Sequence, residues 1–125
     1  MTELRLIDYV YYWTADMDRA VSFYRDVVGL ELLRQDGSQW AEFATEPVRF
    51  ALHGAAEGHP VRSGGAAVMF RVDDLDLARR TMETKGVAFD EHAGEVEGFA
   101  RFATFHDPDG NRVELIERLE RGAQG

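Results

Sequence analysis

In the C-terminal stretch TFHDPDGNRVELIE, a single carboxylate, Glu114, interrupts an otherwise alternating strand. The two-residue period puts Glu114, Arg112 and Ile116 on one face, and Val113 and Leu115 on the other. A carboxylate withdrawn from water needs a hydrogen-bond or charge partner, because burying it unpaired is costly. Tyr9, Arg49, His53 and Arg112 are the side chains able to serve. Three kinds of chemistry follow. Glu114 can be a polar anchor for a ligand, or a general base with Tyr9 as the acid. It can also join His53 on a divalent metal, although two ligands fall short of the usual three or four or so. The expected role is the polar anchor.

Tyr9, Tyr11 and Trp13 alternate along an early strand and so project to one side. They form either ordinary core or an aromatic wall that stacks a planar or hydrophobic ligand, with the Tyr9 hydroxyl as a polar handle. Met69 and Arg71 extend the corresponding face in the second half of the chain, and Trp40 covers one end. His106 precedes a turn and should be exposed. His59 falls in a linker, and His92 in a loop-like stretch without ligand spacing. No nucleophile elbow, P-loop or dinucleotide fingerprint is present, so acyl transfer, nucleotide hydrolysis and hydride transfer find no support.

The elements that must position these residues occur twice. Residues 9–20, YVYYWTADMDRA, align with residues 67–78, AVMFRVDDLDLA, placing Val10 on Val68, Asp16 on Asp74, Asp18 on Asp76 and Ala20 on Ala78. Each is followed by a helical segment that stops at glycine, in DVVGLEL and ETKGVAF. The halves also end alike, with VRFALH (48–53) against NRVELI (111–116). Asp16 is an N-cap candidate, and Met17, Ala20, Val21, Tyr24, Val27 and Val28 recur at helical spacing up to Gly29. Strands are expected around 30–35, 39–45 and 48–53. Leu75, Ala78 and Met82 mark the second helix, which ends near Gly86. Pro108 and Gly110 supply the turn between the last two strands.

The expected fold is α+β: one domain of two tandem βαβββ modules, about 4–53 and 66–119, forming a curved mixed sheet around a cleft. GAAEGHPVRSGG (54–65) is the linker and 120–125 a frayed tail. The 125 residues suffice for a real core. A net charge of −9 opposes nucleic-acid binding. No apolar run reaches the roughly 18 residues of a membrane span. The start MTELRLIDYV lacks a signal peptide's basic and apolar regions, and the absence of cysteine excludes disulfides and thiolate chemistry. A cytoplasmic protein is expected.

TADMDRAVSFYRDVVGLEL and FHDPDGNRVELIE resemble the vicinal oxygen chelate superfamily, which includes glyoxalase I, extradiol dioxygenases, fosfomycin-resistance enzymes and bleomycin-binding proteins. The match runs from about residue 4 to 119. In metal-using members, the resemblance implies four ligands in repeat-related pairs, on the first and last strands of each half. Those positions here are Tyr9, Ala67, Ala51 and Glu114, so only Glu114 keeps a customary ligand type. The resemblance therefore implies a metal-free protein that binds a small molecule in the cleft, as a homodimer, with no cofactor. Its candidate ligand-binding residues are Tyr9, Tyr11, Trp13, Arg49, His53, Met69, Arg71, Arg112 and Glu114. The alternatives are a metal-dependent enzyme using Glu114 and His53, and a metal-free isomerase or cyclase using Glu114 and Tyr9.

Overall fold

A computed structural model describes residues 5, 7–55 and 66–119. The chain divides into two compact units, Met1–Ser63 and Gly64–Gly125. Most of the linker expected over 54–65, with His59, and the whole of the expected tail lie outside the described residues.

The first unit runs β1 (Tyr9–Thr14), α1 (Met17–Ser22), a π-helical continuation (Phe23–Val28), β2 (Leu32–Asp36), β3 (Trp40–Phe43) and β4 (Arg49–Gly54). Its sheet has the order β1-β4-β3-β2, with β1 parallel to β4 and the other pairings antiparallel. A parallel pair needs a crossover, and α1 with the segments after it supplies that connection. The Asp16 side chain starts the helix by accepting the Arg19 amide at 3.1 Å. Gly29, at φ 93°, ends it in the left-handed conformation that a Cβ would oppose.

The expected apolar stripe is buried at Met17, Ala20, Val21 and Tyr24. It is only half-buried at Val27 and Val28, where the helix widens and Tyr24 carbonyl receives the Gly29 amide. Tyr24 packs its ring on Phe50 at 4.8 Å and Phe43 at 6.0 Å. Tyr12, Leu52 and Ala41 complete this core. Because strand side chains alternate, burying Tyr12, Phe43, Phe50 and Leu52 beneath α1 turns Tyr9, Tyr11, Trp13, Trp40, Glu42, Ala51 and His53 to the opposite face.

The second unit repeats the plan: β5 (Val68–Arg71), α2 (Leu75–Thr84), β6 (Gly94–Val96), β7 (Ala100–His106) and β8 (Arg112–Arg118), in the order β5-β8-β7-β6. Each unit is thus a βαβββ module with its own mixed four-stranded sheet, and the fold is α+β. Asp74 caps α2 by accepting the Leu77 amide at 3.0 Å, matching Asp16 in the first unit. Glu117 on β8 accepts the Leu75 amide at 2.9 Å, so the sheet itself satisfies another donor at that helix start. Ala103, Phe105, Val113 and Leu115 form the core beneath α2.

Pairing within the sheets reproduces the register of the internal repeat. Tyr11 lies beside Ala51, as Met69 lies beside Glu114; Trp13 lies beside His53, as Arg71 lies beside Ile116. In the HDPDGN turn, Asp107 accepts the Asp109 and Asn111 amides at 2.9 and 2.8 Å, while Gly110 takes φ 87°. This closed turn sets the β7–β8 register that brings Glu114 opposite Thr104.

In the first unit the comparable constraint is a close backbone approach. Gly54 donates to the Gln39 carbonyl at 2.9 Å, and a Cβ on Gly54 would collide with the Ser38 carbonyl oxygen. Gly54→Ala should therefore destabilise the fold by about 1–3 kcal/mol. Urea unfolding of the two proteins measures this directly, and the midpoint should fall with little change in slope.

Candidate functional site

The open face of the first sheet is built around a carboxylate, Glu42, which is only 7% exposed. Its Oε2 accepts the Trp40 indole N–H at 2.8 Å and the Tyr9 hydroxyl at 3.3 Å. Its Oε1 accepts Arg49 Nη1 at 3.0 Å, and Arg34 Nε lies 3.7 Å from Oε2. The donors come from three strands besides the short-range Trp40 contact, so one side chain ties β1, β2, β3 and β4 together. The Trp40 hydrogen bond is the leading cause that holds the Glu42 carboxyl below its ordinary pKa. Arg49, Arg34 and Tyr9 add to it, against the upward push of burial.

Around this anchor stand five rings. Tyr9 meets Trp40 edge to face at 5.4 Å, and Tyr11 meets Trp13 and Trp40 at 5.7 Å each. His53 lies 4.3 Å from Trp13, 5.4 Å from Tyr11 and 5.6 Å from Trp40. Tyr9, Tyr11 and Trp13 remain 40%, 44% and 42% exposed, so this is a large aromatic surface rather than closed core. Ala51, fully buried between Tyr11 and Glu42, contributes only a methyl group to the same row. His53 Nδ1 lies 2.9 Å from the Gly54 carbonyl oxygen. A carbonyl only accepts, so this contact assigns the proton to Nδ1 and leaves the lone pair on Nε2 in the neutral ring.

The second sheet places its carboxylate one strand over. Glu114 on β8 forms an ion pair with Arg112 Nε at 3.1 Å and accepts Thr104 Oγ1 at 3.4 Å, and His92 Nε2 lies 3.7 Å away. Met69 is beside Glu114 in the β5–β8 register, and Arg71 is beside Ile116. In the repeat, Ala51 corresponds to Glu114 and Glu42 to Thr104. Each unit therefore keeps one carboxylate on the same cross-strand row, on neighbouring strands of that row.

Tyr9, Tyr11, Trp13, Arg49 and His53 are gathered on the first unit's face, and Met69, Arg71, Arg112 and Glu114 on the second's. The hydroxyl of Tyr9 goes to Glu42, and the partners in contact with Glu114 come from its own unit. His106 is exposed, 3.9 Å from Asp90. Sequence reasoning missed Glu42 and set His92 aside as a loop residue without ligand spacing. Glu42 had a usable signal, since it shares strand parity with Trp40 in QWAEF. His92 had none, because a loop residue carries no period.

The βαβββ repeat and its strand order define a class of protein, and comparison with known proteins identifies it. The chain belongs to the Glyoxalase/Bleomycin resistance protein/Dioxygenase superfamily, whose family model matches residues 6–115. It is 30% identical to a lactoylglutathione lyase of Haemophilus influenzae over 122 residues, covering 82% of this chain and 84% of the relative. A similar solved structure is TnmS3, an antibiotic binding protein from Streptomyces sp. CB03234. It has 26% identity and a TM-score of 0.75, with 95% of this chain and 100% of that one covered. The lactoylglutathione lyase structure from Agrobacterium tumefaciens shares the fold at a TM-score of 0.74 and 24% identity, with coverage of 92% and 95%.

Divalent metals are common in this superfamily, and the four ligand positions the resemblance implies are Tyr9, Ala51, Ala67 and Glu114. Ala51 and Ala67 have no donor atom, and Tyr9 and Glu114 are held by other side chains as described. This donor set does not fit such a metal. Among the described residues, no three His, Asp or Glu side chains gather where they could hold a metal ion. No helix among the described residues is long and apolar enough to cross a membrane.

Glu42 has a folded pKa below its unfolded one, so its ionised form stabilises the native state. That contribution is complete above the ordinary glutamate value of about 4.3 and is lost as pH falls through the lower native value. Glu42→Gln should cost about 1–2 kcal/mol at neutral pH. The gap from the parent protein should close as the solution is acidified below that range. Thermal or denaturant unfolding across acidic and neutral pH measures both features.

Proposed function

We propose that this protein binds a small, partly aromatic molecule on the first unit's open face, without a metal. The observation that supports this most strongly is the ring cluster on that face, with Tyr9, Tyr11 and Trp13 exposed and Trp40 and His53 half-buried, which Glu42 anchors through Trp40 and Tyr9. An aromatic surface with a few fixed polar groups is the usual composition of a small-molecule site. The similarity to TnmS3, itself an antibiotic binding protein, agrees with this reading. In this reading Arg49 positions Glu42 from its half-exposed place on β4, and the Tyr9 hydroxyl is a polar handle at the rim. The protein is taken to work in the cytoplasm as a symmetric homodimer, the commonest assembly of soluble proteins.

A second reading, proton transfer with Glu114 as base, draws support from His92 and Arg112 beside that carboxylate. Met69 and Arg71 would then line the substrate's path on the second unit. The metal-dependent alternative, a lyase like the relatives named lactoylglutathione lyase, needs donors that Ala51 and Ala67 lack. Stoichiometric zinc, nickel, manganese or iron in protein purified without chelator, and lost in Glu114→Ala, would reverse this ranking.

Planar antibiotics titrated against the intrinsic fluorescence of Trp13 and Trp40 test the principal reading. Binding should quench the signal, and Trp13→Ala should weaken affinity about tenfold, the loss expected for one stacking ring. Glu114→Gln should leave that affinity within about twofold, as its contacts lie on a different sheet. No quenching across the panel would overturn the proposal.

A further inference from the structure

The hydrogen bonds beneath the aromatic face have an electronic consequence. When an indole N–H or a phenol O–H donates to a carboxylate, electron density shifts back into the ring, and the ring's negative face becomes stronger. Trp40 and Tyr9 both donate to the same oxygen of Glu42, at 2.8 and 3.3 Å. Their rings are in edge contact with one another at 5.4 Å, so the two enriched rings are adjacent. Tyr11 touches Trp40, and Trp13 continues the row, adding two more electron-rich faces. His53 presents Nε2 as an acceptor in its neutral form, because its Nδ1–H goes to Gly54.

The charges on this face are balanced. Arg49 and Arg34 face Glu42, and Arg34 also bonds Asp36 at 2.9 Å. Two guanidiniums thus meet two carboxylates, and neither sign is left in excess among these four. A local excess of positive charge would repel a cation, but here it is cancelled. The field of the whole chain, at −9, then attracts cations toward the protein. Rings of this kind bind a cation through their quadrupole, most strongly at tryptophan.

The geometry points to a planar organic cation as the ligand class of this face, packed against the cluster of Trp40, Tyr9, Tyr11 and Trp13, with Glu42 acting through the rings. This rests on the reading that the aromatic face is the binding site, and it adds the charge of the ligand. Glu42 here is a positioning and polarising residue; its carboxylate is held by Trp40, Tyr9 and Arg49 and does not need to touch the ligand.

Three ligands of nearly one shape and different charge test it: N-methylacridinium, acridine and acridine-9-carboxylate, titrated at mildly alkaline pH by tryptophan quenching and calorimetry. N-methylacridinium should bind roughly tenfold more tightly than neutral acridine, with the anion weakest. Trp40→Phe, which keeps a ring but removes the N–H, should reduce the ratio of cation to acridine affinity to a few-fold or less, whatever its effect on either affinity alone. Glu42→Gln should reduce it in the same way, with circular dichroism reporting that the variant is folded. If Glu42→Gln does not fold, Trp40→Phe carries the test. Equal or tighter binding of acridine or of the anion overturns the cation inference and leaves the binding-site reading standing. A cation advantage unchanged in Trp40→Phe also overturns it. No binding by any of the three overturns both.

Discussion

One buried carboxylate organises the first unit's open face. Glu42 gathers an indole from its own strand and a phenol and two guanidiniums from the other three, and its hydrogen bonds fix Trp40, Tyr9 and Arg49 in direction. Without it, Arg49 would lose its carboxylate, Arg34 would keep only Asp36, and the Trp40 and Tyr9 rings would lose their polar tether. An arrangement of this kind costs little at folding, because a charge taken from water is met by several donors at once. The rings around it can then stand partly exposed without collapsing onto one another at random.

The duplicated architecture shows how a shared frame supports unlike surfaces. Both units use an aspartate cap, a crossover helix and a β1-β4-β3-β2 type order, and their cross-strand registers coincide. The outward residues have nevertheless diverged. One face is aromatic around Glu42, and the other is polar around Glu114, Arg112 and His92. Alternation permits this, since the helix-facing residues preserve the fold while the other set is free to change.

Much of the frame was legible in the sequence. The paired aspartates, the glycine stops and the alternating terminal strands have local signatures, and each predicted an element that forms. The correspondence of the halves was legible too, because aligning them matches Tyr11 to Met69 and Ala51 to Glu114, and the strand pairing puts both pairs in the same cross-strand register. The site was less so. Comparing the halves drew the eye to Glu114, the one ligand-type residue kept at a repeat-related position. Glu42 escaped because its counterpart is Thr104, so the comparison gave it no weight. Its importance depends on Tyr9, Arg34 and Arg49 meeting it across strands, which is a tertiary fact. His92 reaches Glu114 from a loop, where no periodicity exists to be read.

The self-contained neutrality of the Glu42 cluster has a kinetic meaning. Long-range attraction by the chain's overall charge acts across solvent and fades within a Debye length, about 8 Å at physiological ionic strength. A cation held against the rings sits at contact distance, well inside that length, and so is screened far less. Added salt should therefore slow the arrival of a cationic ligand while leaving its departure nearly unchanged. In this molecule the speed of capture and the duration of holding are governed by separate sets of residues.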